Sequence, residues 1–266
     1  LPKDYSWAYY SIPEMYGSGC HSDFGSVARV CTFGVTVSPV LSVALVGDSH
    51  ATQLAPGLKL AATTSGASLV TLLQSNCSLD SGFTSNSLPA ANALQPYMQE
   101  CVPFTRSSLR ALEKLQPDVV ILARASISDS NLPGGSPGSS LPTRELLIEL
   151  KEMLPKARIL VFRDPPRATL ASNLDIFYCS NRLTDGKCNS DVGLGDNWDG
   201  LSASAMELGL EVLSITDQIC DAKYCKKSIE GMPIYRDSNH LNAAYSMSLG
   251  PYWVSLFREW TDHDEK

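Results

Sequence analysis

Two short motifs near opposite ends of the chain carry the residue types that acyl transfer requires. Residues 43–50 read VALVGDSH, and residues 237–241 read DSNHL. An apolar run that stops at Gly-Asp-Ser is typical of a buried strand followed by a tight turn, which would expose the hydroxyl of Ser49. Asp237 and His240 are three residues apart, so one turn directs both side chains the same way. The motifs therefore predict a serine nucleophile, a histidine base and an orienting carboxylate.

His240 is the best candidate for the general base among the four histidines of the chain. His21 adjoins a cysteine, and His263 lies in a charged C-terminal tail. His50 follows the candidate nucleophile directly, at a helix start where neighbouring side chains diverge. His240, in contrast, can donate from Nδ1 to Asp237 while Nε2 accepts the serine proton.

The same motifs have a purely structural interpretation. Asp48 or Ser49 could cap one helix, and Asp237 or Asn239 could cap another. Under that interpretation His240 is a surface residue, and the protein is a non-catalytic glycan-binding module. We favour the enzyme because the strand-end serine and the Asp-x-x-His motif occur together in one chain.

Length and charge exclude several classes of protein. A chain of 266 residues with 44% hydrophobic residues can bury a full core, and one large domain is expected. The net charge is −7 and no basic stripe is present, so nucleic acid is not an expected partner. No apolar run approaches the roughly 20 residues that span a bilayer.

The eight cysteines form four neighbouring pairs along the chain. An even count with local pairing predicts four disulfides that formed in an oxidising compartment, outside the cytoplasm. A metal site is disfavoured because no Cys-x-x-Cys spacing occurs, and we expect neither a metal nor an organic cofactor. The predicted disulfides are Cys20–Cys31, Cys77–Cys101, Cys179–Cys188 and Cys220–Cys225.

Apolar strands alternate with helical segments, which predicts an α/β protein whose parallel sheet is covered on both faces. Five strands fit a three-layer α/β/α sandwich with a flavodoxin-like sheet, whose ligands bind at the carboxyl ends of the strands. We expect residues 1–40 to be an extension packed on a catalytic domain of residues 41–266. The predicted strands are Ser42–Gly47, Ser68–Leu73, Asp118–Ala123, Ala157–Phe162 and Glu211–Ile215. The predicted helices are 51–62, 104–115, 143–154, 202–208 and 242–257.

At these two motifs the chain resembles the SGNH (GDSL-like) hydrolase superfamily. Residues 46–51 (VGDSHA) and 235–241 (YRDSNHL) are most similar to the extracytoplasmic SGNH domains that follow acyltransferase-3 membrane domains in bacteria. The likeness covers residues 17–257. It implies the SGNH hydrolase fold and an acyl-enzyme mechanism, with Ser49 as nucleophile, His240 as base and acid, and Asp237 as the orienting carboxylate.

The resemblance also implies a biological setting. A membrane acyltransferase domain would deliver the acyl group, and this domain would transfer it to a cell-envelope glycan or glycolipid. We therefore expect an extracytoplasmic domain that is tethered through a membrane domain absent from this sequence. As an isolated domain it should be monomeric.

The superfamily's further motifs are incomplete in this chain. The resemblance calls for a glycine after the second strand and an asparagine after the third, and neither is present. Ser49 would still supply its backbone N–H to the oxyanion, and Ser75 or Asn76 could replace the missing glycine. Arg124 and Ser126 follow the third strand and could line the substrate pocket. The alternative is that Ser75 and Asn76 only shape a turn and that Arg124 pairs with a surface carboxylate.

Asp164 is a second acidic candidate, because it follows the fourth predicted strand at the same edge of the sheet. It could compete with Asp237 as the partner of His240. Pro165 and Pro166 come next, however, and favour a turn with a solvated carboxylate.

Taken together, the sequence predicts a serine O-acyltransferase domain that transfers an acetyl or other short acyl group. A stand-alone carbohydrate or lipid esterase is the alternative, since it would use the same three residues. An incomplete oxyanion hole favours the transferase, because slow hydrolysis would protect the acyl group from water.

Overall fold

A computed structural model describes residues 7–83, 96–126, 141–166, 190–191, 199–221 and 224–263. Its central feature is a mostly parallel sheet of seven strands. The strands of the described ranges are β1 (His21–Ser22), β2 (Val30–Gly34), β3 (Ser42–Gly47), β4 (Ser68–Gln74), β5 (Val119–Ala123), β6 (Arg158–Phe162), β7 (Ser190–Asp191), β8 (Glu211–Leu213), β9 (Tyr224–Cys225), β10 (Ser228–Ile229) and β11 (Met232–Pro233).

Five parallel strands form the centre of the sheet in the order β4-β3-β5-β6-β8. This is the flavodoxin-like order, in which the first strand lies between the second and the third. The predicted fold class is confirmed. Residues N-terminal to β3 add two strands to β4: β1 runs parallel to its last residues, and β2 pairs with it antiparallel.

Helices cover both faces of the sheet. In the described ranges they are α1 (Trp7–Tyr10), α2 (Ser49–Thr52), α3 (Ala55–Ser65), α4 (Pro96–Leu115), α5 (Leu141–Met153), α6 (Gly200–Glu207), α7 (Thr216–Ile219), α8 (Ala243–Ser248) and α9 (Gly250–His263). Because side chains alternate along a buried strand, neighbouring residues of β3 enter different cores. Leu45 packs with Leu58 of α3 and Trp253 of α9, whereas Val46 packs with Phe104 of α4 and Leu147 of α5.

Two predicted helices are each divided in the structure. Residues 51–62 were expected to form one helix, but α2 ends at Thr52 and α3 begins at Ala55, with Pro56 in its first turn. The C-terminal helix is likewise interrupted at Leu249, between α8 and α9. Pro251 has no backbone N–H to continue the helical hydrogen bonds, so a new helix starts there.

Three of the predicted disulfides lie in the described ranges and are confirmed: Cys20–Cys31, Cys77–Cys101 and Cys220–Cys225. The first joins the turn before β1 to β2, and the second joins the segment after β4 to α4. The predicted Cys179–Cys188 pair lies outside the described residues. In the described part of the chain, no helix is long and apolar enough to cross a membrane.

Candidate active site

Ser49 is the first residue of α2, at the carboxyl end of the central strand β3. Asp48 fixes the turn between them, because its Oδ1 accepts the N–H of His50 (2.8 Å) and its Oδ2 accepts the N–H of Ala125 (3.0 Å). The turn also needs Gly47, whose φ is +152°. A Cβ atom there would lie 1.8 Å from the carbonyl oxygen of Ala123 on β5. Ser49 is therefore held at a fixed distance from the neighbouring strand.

Ser49, His240 and Asp237 form one hydrogen-bonded chain. The Oγ of Ser49 lies 2.9 Å from Nε2 of His240, and Nδ1 of His240 lies 3.0 and 2.9 Å from the two carboxylate oxygens of Asp237. A carboxylate can only accept, so Nδ1 carries the proton and Nε2 is free to accept from the serine hydroxyl. This is the tautomer that a general base needs. The structure thus brings together the three residues that the sequence singled out.

Asp237 is held in its ionised form. Burial alone would raise its pKa, but hydrogen bonds from the His240 side chain and from the N–H groups of Asn239 and His240 outweigh that effect and lower the pKa to about 2. The guanidinium of Arg236 adds a cation 3.6 Å away. A carboxylate that stays charged can stabilise the imidazolium that forms when His240 takes a proton.

The segment that carries Asp237 and His240 is a loop whose two ends pair with each other, and hydrogen bonds connect it to two other parts of the protein. Tyr235 and Leu241 form an antiparallel bridge at its ends. The side-chain oxygen of Gln53, just after α2, accepts the N–H of Leu241 at 2.7 Å. The hydroxyl of Tyr235 donates to the carbonyl of Pro166, after β6, at 2.5 Å. These contacts link the histidine to the serine helix and to the β6 loop.

The expectation of a solvated Asp164 is wrong. This side chain is only 6% exposed, and its Oδ1 lies 2.5 Å from Nδ1 of His50. Its Oδ2 accepts the N–H of Ser126 at 2.8 Å, and its own N–H donates to Asp199 at 3.1 Å. The loop after β6 folds behind α2, where His50 compensates the buried charge. Burial would raise the pKa of Asp164, but His50 and these hydrogen bonds lower it. Asp164 is thus the partner of His50 and not of His240.

His21, which the sequence analysis set aside, is part of a polar cluster beside the serine helix. Its Nδ1 lies 2.8 Å from Oγ1 of Thr52 and its Nε2 lies 2.8 Å from Oγ of Ser75. Burial lowers the pKa of His21 to about 4, so the ring is neutral at pH 7. No local pattern marks this residue, because β1 brings it to the site from the N-terminal segment.

Three of the residues predicted for the oxyanion hole and the pocket occupy different environments. The backbone N–H of Ser75 donates to the carbonyl of Ser22 (3.1 Å), and the side chain of Asn76 is exposed at a turn with φ +56°. Ser126 is buried against Asp164. Their part in substrate binding stays a prediction.

Arg124 points into the core, where it is 2% exposed. Its Nε lies 3.2 Å from Oδ2 of Asp80, and the same oxygen accepts the hydroxyl of Thr143 at 2.7 Å. Asp80 is itself buried, so the alternative that Arg124 pairs with a surface carboxylate is wrong. Among the described residues, no group of three or more histidine, cysteine or acidic side chains could hold a metal ion.

A serine–histidine–aspartate chain at the carboxyl edge of a parallel sheet is typical of serine esterases and acyltransferases. Comparison with known proteins identifies the family. The chain belongs to the SGNH domains that are fused to AT3 domains, which it matches over residues 19–255. No curated protein sequence matches the chain.

Solved structures resemble the chain at low sequence identity, and the first of those named here shares its fold. The periplasmic domain of a lipopolysaccharide acetyltransferase from Salmonella ser. Paratyphi A is 15% identical, with a TM-score of 0.59 over 97% of this chain and 98% of that one. A carbohydrate acetylesterase family member from Sinorhizobium meliloti is 13% identical, with a TM-score of 0.47 over 84% and 99% of the two chains. The M. smegmatis aryl esterase is 12% identical, with a TM-score of 0.44 over 83% and 99%. The chain is therefore a member of the SGNH enzyme family.

Proposed function

We propose that this domain transfers an acetyl or other short acyl group to a cell-envelope glycan or glycolipid through an acyl ester on Ser49. The observation that carries the proposal is the continuous hydrogen-bonded chain from Ser49 through His240 to Asp237. A serine hydroxyl is a weak nucleophile unless an adjacent base takes its proton, and this geometry provides that base.

In the first half of the reaction, Oγ of Ser49 attacks the acyl carbonyl carbon while its proton moves to Nε2 of His240. Asp237 stabilises the resulting imidazolium. When the tetrahedral intermediate collapses, the bond to the donor's leaving group breaks and His240 protonates that group. The product is an ester between the acyl group and Ser49.

In the second half, a hydroxyl of the acceptor replaces the donor's leaving group. His240 takes the proton of that hydroxyl as its oxygen attacks the ester carbonyl. Collapse of the second tetrahedral intermediate breaks the bond to Oγ of Ser49, which regains its proton from His240. If water enters instead of the acceptor, the same steps release the free acid, which is the esterase alternative.

The negative oxygen of each tetrahedral intermediate needs hydrogen-bond donors. The first N–H groups of a helix have no acceptor within it, so the backbone N–H of Ser49 at the start of α2 is one donor. We assign Ser75 and Asn76, which follow β4, as the source of a second. Ser126, which follows β5, is assigned to the pocket wall, whereas Arg124 is buried against Asp80 and is assigned no contact with substrate.

Membership of the family supports a proposal for the acyl donor and for the membrane tether. Its members are fused to AT3 domains, and we propose that such a membrane domain supplies the acyl group and anchors this one. The fold is shared with a lipopolysaccharide acetyltransferase domain, which supports an envelope glycan or glycolipid as the acceptor. We propose that the isolated domain is a monomer that binds no nucleic acid and needs no cofactor.

Intact-mass measurement after incubation with a short-chain activated ester tests the nucleophile. The wild-type protein should gain the mass of one acyl group, and Ser49→Ala should gain none. Ser238→Ala is the matched control, since Ser238 is exposed in the turn that carries the histidine and should not affect labelling. A wild-type protein that reacts neither with the ester nor with a serine-directed phosphonate would instead be a glycan-binding module.

Acceptor dependence separates transferase from esterase. The acylated protein should lose its acyl group faster when a sugar is added, with the sugar gaining the ester. If release into water proceeds at the same rate with every sugar tested, the esterase is the correct assignment.

A further inference from the structure

The site contains a second histidine–carboxylate pair that the reaction above does not use. His50 is 2% exposed, and its Nδ1 lies 2.5 Å from the carboxylate of Asp164. The pair copies the arrangement of His240 and Asp237, but the two partners are 114 residues apart. Burying two ionisable side chains is costly unless both are paired, so a pair that serves only to fill space is a poor substitute for apolar residues.

The ring of His50 packs directly against the catalytic ring. The two ring centroids are 4.6 Å apart, and the planes are inclined by 48°. His50 also follows Ser49 in the first turn of α2, and its backbone N–H is fixed by Asp48. His50 is therefore adjacent to both partners of the Ser49–His240 hydrogen bond: its backbone continues from Ser49, and its ring contacts the ring of His240.

Asp164 connects this ring to the rest of the active-site rim. Its second oxygen accepts the N–H of Ser126 after β5, and its own N–H is held by Asp199 before α6. Two residues further on, the carbonyl of Pro166 accepts the hydroxyl of Tyr235, at the start of the segment that carries His240. The orientation of His50 is thus determined by three separate segments of the chain.

We propose that His50, oriented by Asp164, is a positioning residue that holds the His240 ring with Nε2 facing the serine hydroxyl. The proposal rests on the proposed function, because it assigns a role within that same reaction. His240 is only partly buried, and Asp237 restrains its ring at a single atom, Nδ1, so packing on the face of the ring is needed to hold its orientation. His50 supplies that packing.

Two substitutions separate the ring from the hydrogen bond. His50→Asn keeps an N–H donor near the position of Nδ1 but removes the ring, and His50→Phe keeps a ring but removes the donor. Both should slow phosphonate labelling of Ser49, and the asparagine variant should slow it on the order of 10²-fold, the usual effect of misplacing a catalytic group by about 1 Å. With an ester substrate, kcat should fall while KM changes little, since neither His50 nor Asp164 is assigned a contact with substrate.

Ser42→Ala is the stability control. Its hydroxyl bonds to Asp118 at the amino ends of β3 and β5, the opposite edge of the sheet, so its loss should lower stability without affecting labelling. Labelling of His50→Asn at the wild-type rate would overturn the proposal and leave the pair a structural one. If that variant does not fold, unchanged labelling of His50→Phe overturns it equally. A reactive wild type with unaffected variants refutes only this inference, whereas an unreactive wild type refutes the proposed function and this inference with it.

Discussion

Replacing Gly47 with alanine should slow acylation of Ser49 strongly without changing any catalytic side chain. The added Cβ would lie 1.8 Å from the carbonyl oxygen of Ala123 and 2.9 Å from Cβ of Ala51. Nonbonded carbon contacts require about 3.5 Å, so the ends of β3 and β5 must separate by more than about 1 Å. That movement displaces Ser49, which lies two residues after Gly47. It also weakens the hydrogen bond between the N–H of Ala125 and the carboxylate of Asp48.

The loss of folding stability has two sources, and the loss of activity has a separate one. Overpacking of this kind costs about 1–3 kcal/mol of folding stability. A positive φ at a residue with a Cβ adds about 1–2 kcal/mol. Displacing the nucleophile by about 1 Å should slow acylation on the order of 10²-fold.

Gly209→Ala separates these effects, because Gly209 also has a positive φ (+67°), but among the described residues no heavy atom other than those of its chain neighbours lies within 4 Å of its Cβ position. Denaturant unfolding with the disulfides intact should show a loss of about 1–2 kcal/mol for Gly209→Ala, and about 1–3 kcal/mol more for Gly47→Ala. Phosphonate labelling should be unchanged in the first variant and slowed on the order of 10²-fold in the second. Wild-type labelling by Gly47→Ala would refute the idea that strand spacing fixes Ser49.

Three further predictions concern charge and redox state. The pKa of His21 is about 4 in the folded protein and about 6.5 in the unfolded chain, so only the unfolded chain binds a proton between these pH values. The free energy of unfolding should therefore fall from pH 6.5 to pH 4 in the wild-type protein, and it should fall less steeply in His21→Gln. Asp237→Asn should slow labelling of Ser49 on the order of 10²–10⁴-fold, because the amide no longer enforces the Nδ1–H tautomer of His240. Labelling within about twofold of the wild-type rate would contradict the role of the carboxylate. Thiol counting on denatured, unreduced protein should find no free thiol among the eight cysteines, and any free thiol would show that a predicted disulfide is not formed.

The features that the sequence predicted correctly depend on signals within a few residues. The strand before Ser49 is a continuous apolar run, and Asp237 and His240 lie in one turn, so neither needs knowledge of the rest of the chain. The order of the five parallel strands follows from general rules for α/β folds together with the family resemblance. Three disulfides were also predictable although their partners are up to 24 residues apart, because each joins two cysteines that are consecutive along the chain.

The errors concern residues whose environment is decided by distant segments. Pro165 and Pro166 are good evidence for a turn after β6, but a turn need not be exposed. Whether Asp164 is solvated depends on what folds over it, and the covering residue His50 is 114 positions away. Arg124 is similar, because its buried partner Asp80 comes from the segment after β4. Local composition contains no information about either pairing.

The histidines show most clearly where local reasoning stops. The sequence favours His240 over the other three histidines because Asp237 is three residues away. The position of His50 directly after Ser49 predicts that its side chain diverges from the nucleophile, and in the structure the serine hydroxyl contacts His240 instead. A side chain that turns away from the nucleophile can still contact the base, however, as the His50 ring does. The role of a histidine next to a catalytic serine therefore depends on the residues that its side chain contacts away from the serine, and only the tertiary fold determines these.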